Sequence, residues 1–237
     1  MRNICRHVQS KVIDMATCNN DNRQESSWID IGKGVYSPAG TKSYLEPKQG
    51  CVNDCFFMAA LVSVAWAANA KLKTHPNYQF FNGSSWDPAF SINKNLAVDT
   101  TSNLVYARTT SQYIWPCLYE KAYAVWKDST HRQQPPISSV LNGGSGLTAL
   151  RNIYGGNLYV KPAEATIPIV VTQNNRTQYP TIAQTNANPG ANLIANHNYS
   201  VLKKSGAGWE MRDPCSTNLV YVDHIDATKF NDWGYVK

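Results

Sequence analysis

Charge is scarce in this sequence. Asp, Glu, Lys and Arg make up 16% of its 237 residues, against about 25% in an ordinary soluble domain. The net charge of +6 is spread thinly, and Lys203-Lys204 is merely a basic turn. No basic stripe is interleaved with aromatics, so no nucleic-acid partner is expected, and the charges read as solvated surface. Long apolar runs are missing too. No segment approaches the roughly 20 residues that cross a bilayer, so no membrane span is expected. The most apolar stretch, Phe56–Ala70, reads as a central helix. Met1–Cys18 has an early positive charge without an apolar core, so it does not read as an ordinary signal peptide. The compartment stays open: cytoplasm, delivery or secretion by another route, or a place within a longer chain. The six cysteines show no Cys-x-x-Cys spacing, and a chain this long needs no disulfide scaffold. Cys5 and Cys18 are the pair that export would allow to join. A zinc site from Cys51, Cys55 and a remote His has poor ligand spacing. There is no EF-hand loop and no internal repeat, and Asn-rich Gln173–Asn192 reads as a loop.

What is present is a stretch of unusual content, Gln49-Gly50-Cys51-Val52-Asn53-Asp54-Cys55-Phe56-Phe57, running into the apolar segment Met58–Lys71. With Asp54 as N-cap, Cys55 falls in the first turn of a buried helix. Unpaired N–H groups and the positive end of the helix dipole there favour thiolate, the form that attacks carbonyls. Gln49, brought back by Gly50, can aim its amide at a developing oxyanion. A lone cysteine of this kind is ordinarily a buried structural thiol. This one has company.

Leu193–Leu202 reads as a strand, Lys203–Gly208 as a turn and Trp209–Pro214 as the returning strand. Alternation puts Leu193, Ala195, His197, Tyr199 and Val201 on one face, and Trp209, Met211 and Asp213 on one face of the partner. Pairing Val201 with Trp209 sets Tyr199 against Met211 and His197 against Asp213, within reach of an imidazole–carboxylate hydrogen bond. A carboxylate on an apolar face needs such a partner. Cys55, His197 and Asp213 then form nucleophile, proton shuttle and tautomer lock.

These blocks resemble the catalytic core of the calpain-like cysteine peptidases. Gln49-Gly-x-x-x-Asp54-Cys55-Phe-Phe-x-Ala-Ala-Leu resembles their nucleophile motif. Trp115-Pro116-Cys117-Leu118-Tyr119-Glu120-Lys121-Ala122-Tyr123-Ala124 is similar to their Trp-x-x-Leu-x-Glu-Lys-Ala-Tyr-Ala helix. Gly143-Gly144-Ser145 and Gly155-Gly156 resemble their two glycine turns. Asn196-His197-Asn198-Tyr199-Ser200-Val201 is similar to Gly-His-Ala-Tyr-Ser-Val, and Met211-Arg212-Asp213-Pro214 to Leu-Arg-Asn-Pro. The resemblance runs from about Gln49 to Pro214.

It implies an α+β, papain-like, two-lobed fold: a helical lobe over 49–156 with Cys55, and an antiparallel β lobe over 157–237 with His197 and Asp213. Residues 1–48, polar and punctuated by Gly and Pro, read by composition as an extended arm or a propeptide. It implies hydrolysis of extended protein or peptide segments in the cleft, with Gln49 and Cys55 forming the oxyanion hole. Gly156 would offer backbone groups to the substrate, since nothing blocks close approach, and Asn196 would shape the subsite beside His197. Calcium is the one cofactor the resemblance suggests. Its ligands do not map onto this chain, and Asp87, Asp99 and Glu164 read as solvated. The chain departs from the pattern at Asp213, usually Asn; at Phe56, usually Trp; at Cys215, where a shielding Trp is usual; and at Asn196, usually Gly. The charge of Asp213 is expected to raise the His197 pKa and favour the thiolate–imidazolium pair.

Two rival readings stand beside this one. A transglutaminase- or amidase-like acyl transferase normally carries Asp third in its triad. A degenerate peptide-binding module would use the cleft without chemistry. The remaining elements read as helices at Phe57–Leu72, Ser111–Lys127 and Gly146–Tyr154, then strands from Asn157 onward. Asn82, Asn175 and Asn198 open glycosylation triplets, and a glycan on Asn198 would obstruct the site.

Overall fold

The computed structural model describes residues 23–35, 42–162 and 170–237. Six short strands come first: β1 (Ser27–Ile29), β2 (Pro47–Lys48), β3 (Asn77–Tyr78), β4 (Phe90–Ser91), β5 (Leu96–Val98) and β6 (Arg108–Thr109). They pair antiparallel as three small ribbons, β1 with β5, β2 with β6 and β3 with β4. Helix α1 (Cys55–Ala67) lies between β2 and β3, and the helices α2 (Trp115–Lys127), α3 (Ile137–Val140) and α4 (Gly146–Tyr154) follow β6. The second half forms β7 (Leu158–Pro162), β8 (Arg176–Thr185), β9 (Asn198–Ser205), β10 (Gly208–Arg212), β11 (Leu219–Val222) and β12 (Phe230–Val236). These make a six-stranded antiparallel sheet in the order β11-β10-β9-β8-β12-β7. The class is α+β.

Helix α1 is buried all round from Cys55 to Ala65, as its unbroken apolar composition requires. Its polar side chains bind the sheet instead of water. Ser63 Oγ donates to the Thr181 carbonyl at 2.7 Å and Trp66 Nε1 to the Leu202 carbonyl at 2.7 Å. From the sheet side, Ser200 Oγ donates to the Ala59 carbonyl at 2.7 Å. Phe57 stacks on Tyr123 of α2 with ring centroids 4.4 Å apart, a contact worth about 0.5–1.5 kcal/mol beyond its buried area. One apolar cluster therefore joins α1, α2 and α4 to Ile182 and Val236 of the sheet. A second, with Tyr199, Val201, Met211 and Trp233, fills the opposite sheet face.

Helix α4 begins and ends where the sequence places it. Ser145 Oγ accepts from the Thr148 N–H at 3.3 Å, and the chain turns at Gly155. Helix α2 starts later than Ser111, at Trp115, because Ser111 Oγ and Trp115 Nε1 are both held by the Glu46 carboxylate. Helix α1 stops at Ala67, and a separate turn of 3-10 helix covers Asn69–Lys71. The described part of the N-terminal region is paired into the fold through β1 and β2, and Trp28, Ile31, Val35 and Tyr44 pack on the main core.

Two expectations need correcting. Strand β8 occupies the centre of the Gln173–Asn192 stretch. Asn is frequent only at its ends, while Thr177, Tyr179, Thr181 and Ile182 supply strand-forming side chains between them. The β9–β10 register also differs. Ser205 faces Gly208 across a two-residue turn, Lys204 faces Trp209, and after an irregularity between Glu210 and Met211, Val201 faces Met211 and Ser200 faces Arg212. The turn is shorter than Lys203–Gly208 because Gly206, at φ 58°, takes the left-handed conformation that tight hairpins need. Residues 193–197 precede the strand rather than belonging to it.

Candidate active site

The loop from Gln49 to Cys55 is built by close backbone approach. A Cβ on Gly50 would lie 1.7 Å from the Tyr106 carbonyl oxygen, so only glycine passes there. The Cys51 N–H then donates to the Val105 carbonyl at 3.1 Å. Gln49 Nε2 donates to the Val52 carbonyl at 2.8 Å, which fixes the amide inside the loop. The Gln49 backbone N–H donates to the Pro214 carbonyl at 2.8 Å, and Arg212 Nη2 to the Leu45 carbonyl at 2.7 Å. These two bonds tie the segment leading to Cys55 directly to the segment carrying Asp213.

Cys55 opens α1 at its first residue. Asp54 occupies the N-cap position but its side chain makes no cap bond. It is fully buried. It faces Glu120 of α2 instead, whose two oxygens accept from the Ala107 N–H at 3.0 and 2.9 Å. Two facing carboxyls bind each other only through a shared proton. Burial pushes both upward, Asp54 to about 7 against the opposing pull of the Glu120 hydrogen bond. Glu120 is raised well above the carboxylate range by burial and by the Asp54 charge.

His197 follows Asn196, which stands at φ 51°, a left-handed conformation that Asn tolerates better than most residues. This is the physical reason a Gly or Asn suits that position. His197 Nε2 lies 2.9 Å from Asp213 Oδ1. The expected contact is therefore present, although the expected register is not: with Ser200 opposite Arg212, the next pair along would be Tyr199 with Asp213. His197 and Asp213 lie just beyond the ends of β9 and β10, and the far edge of the ring closes the gap. Tyr199 packs edge-on against the imidazole, 5.0 Å between centroids.

Asp213 is more than an orienter. Oδ1 also accepts from the Cys215 N–H at 2.9 Å, while Oδ2 accepts from the Ser216 N–H at 3.2 Å and Ser216 Oγ at 2.6 Å. Burial would raise this carboxyl, but the hydrogen bond and charge of His197, with the Ser216 and Cys215 donors, bring it down to about 2. Burial would likewise lower His197, yet the Cys55 charge and the bonds to Asp213 and Cys55 raise it to about 9. Burial pushes the Cys55 thiol up, and the His197 charge with hydrogen bonds from His197 and Asn198 leaves it below an ordinary thiol. Since Nε2 is held by Asp213, Nδ1 is the ring nitrogen left for sulfur. Cys55, His197 and Asp213 are 5%, 3% and 4% exposed, so little water screens these charges.

The other expected residues are placed as follows. Gly156 is turned to the C-terminus: a Cβ there would meet the Lys237 carbonyl oxygen at 2.5 Å, and its own carbonyl accepts from Arg151 Nε at 3.2 Å. The glycine turn that contacts the neighbours of Cys55 is the other one, with the Gly143 N–H donating to the Asn53 carbonyl at 2.8 Å and Gly144 against the Phe56 ring. Asn196 is half-buried beside His197, its N–H donating to the Asn186 carbonyl at 3.0 Å. Cys51 and Cys215 are both disulfide-bonded, which removes Cys51 as a zinc ligand. Among the described residues the free thiols are Cys55 and Cys117, and burial raises Cys117 out of reactive range. Asp87 and Asp99 are engaged by Trp126, Asn82, Thr101 and Asn103, and no cluster of three His, Cys, Asp or Glu that could hold a metal occurs among the described residues. Cys5, Cys18 and Glu164 lie outside them.

One site residue escaped the sequence reading. Asn198 Nδ2 points at Cys55 Sγ, 3.9 Å away, and the side chain is 3% exposed, which leaves no room for a glycan. The signal for it was its position next to His197.

Among the described residues no helix is long and apolar enough to cross a membrane. No protein-family model matches the chain, and no curated protein is significantly similar to it.

Proposed function

We propose that this chain is a cysteine endopeptidase of the calpain-like, papain-fold kind, cutting extended segments of protein or peptide substrates. The observation that carries the reading is a buried imidazole held by Asp213 on one edge and interacting with the Cys55 sulfur on the other. The arrangement favours thiolate, imidazolium and carboxylate, because His197 is raised to about 9 while its charge and hydrogen bonds hold the Cys55 thiol below its ordinary value.

The thiolate attacks the substrate carbonyl carbon, forming a C–S bond and an oxyanion. The Cys55 N–H, at the unpaired start of α1, and the Gln49 amide stabilise that charge. His197 gives its proton to the departing amine as the C–N bond breaks, leaving a thioester. Water then attacks the thioester with His197 taking its proton, the C–S bond breaks, and the acid leaves as the thiolate is restored. Asp213 holds the ring throughout and is never itself protonated.

The test is digestion of casein by wild type and Cys55→Ala, with and without a labelled primary amine. The expected result is new peptide termini from wild type, none from Cys55→Ala, and Cys55→Ala folded by circular dichroism. Amine incorporation without cleavage would assign the site to acyl transfer. Cleavage by Cys55→Ala at the wild-type rate would remove the site from the reaction.

A further inference from the structure

The sulfur of Cys55 has more donors around it than a triad supplies. Besides His197, both the backbone N–H and the side-chain amide of Asn198 reach it, the latter at 3.9 Å. Room for the amide is left from behind. A Cβ added to Gly146 would lie 2.3 Å from Asn198 Oδ1, so the absence of a side chain at the first residue of α4 makes room for the Asn198 carboxamide. The motif that this segment resembles has alanine at that place, with no donor to offer.

We propose that Asn198 is a catalytic residue of this site, its side-chain amide donating to the Cys55 thiolate and re-forming that bond when the thioester breaks. The proposal rests on the peptidase reading above. A hydrogen bond to an ionised sulfur is stronger than one to a neutral group, and a thioester sulfur carries no charge to attract it. The bond is therefore present before attack, lost in the acyl-enzyme and regained as sulfur leaves. Its first effect is to hold thiolate at low pH. Its second is a cost: a better-stabilised thiolate is a weaker nucleophile. Its third is to help sulfur depart in deacylation.

The experiment is the pH dependence of iodoacetamide alkylation at Cys55, read by peptide mass mapping in wild type, Asn198→Ala and the near-isosteric Asn198→Leu. Asn198→Ser, a donor on a shorter arm, covers the case where either apolar variant does not fold. The midpoint of alkylation is expected to rise by about one pH unit in the apolar variants, so that rates well below both midpoints fall about tenfold. Above both midpoints the variants should react as fast as wild type or faster, and Asn198→Ser should fall between. Folded variants with the wild-type midpoint would overturn the proposal. Peptide cleavage measured on the same samples separates the two claims. A shifted midpoint without any cleavage by wild type overturns the peptidase reading and leaves the thiolate bond standing.

Discussion

His197 Nε2 and Asp213 Oδ1 are 2.9 Å apart, and the same carboxylate takes three further hydrogen bonds from Cys215 and Ser216. The aspartate therefore both holds the imidazole and closes the turn after β10. Replacing it tests the two duties separately.

Asp213→Asn keeps an oxygen for His197 but removes the negative charge that favours imidazolium. The alkaline limb of kcat/KM, set in wild type by His197 near 9, should move to lower pH. The new amide also presents N–H groups where Ser216 donates, at a cost of about 1–3 kcal/mol in stability. Asp213→Ala should lose far more activity, through lost orientation. A pH–rate profile on one peptide substrate, with thermal melts, checks all three proteins. Superimposable profiles would mean that Asp213 serves only its turn.

Gln49→Ala should lower kcat by roughly 10- to 1000-fold with little change in KM, because an oxyanion donor acts in the transition state. It also removes one of two donors to the buried Val52 carbonyl, leaving the Asp54 N–H at 2.9 Å, so the melting temperature should drop slightly as well. An unaltered kcat alongside a lower melting temperature would confine Gln49 to shaping the loop.

The Asp54–Glu120 pair makes stability fall as pH rises. A carboxyl whose folded pKa is pushed up contributes stability in full below its unfolded value, 3.8, and loses it as pH rises through about 7. Asp54→Asn, whose amide donates to Glu120, should therefore gain melting temperature over wild type between about pH 5 and about pH 8. Glu120→Gln should do the same from the other side, donating to Asp54 while still accepting from Ala107. A constant difference across that range would show that the pair keeps one protonation state. Glu120→Ala, which leaves Asp54 buried without its facing group, should destabilise at every pH.

Local chemistry made some of this legible in the sequence. Ser145 and Gly155 bracket α4 because a cap and a left-handed turn residue act on their own neighbours. Cys55, Gln49, His197 and Asp213 stand out because their residue types and order suit one chemistry, and the unbroken apolar run after Cys55 requires burial on every side. The tertiary structure decided what depends on distant partners. Asp54 has the right position for a cap, but Glu120 turns its side chain away. The β9–β10 register is set by a two-residue turn and an irregularity that alternation cannot reveal. Gly156 packs against the Lys237 carbonyl, and Asn198 reaches the sulfur of a residue 143 positions earlier. No local pattern encodes those contacts, because they exist only once α1, α4 and the sheet are packed against one another.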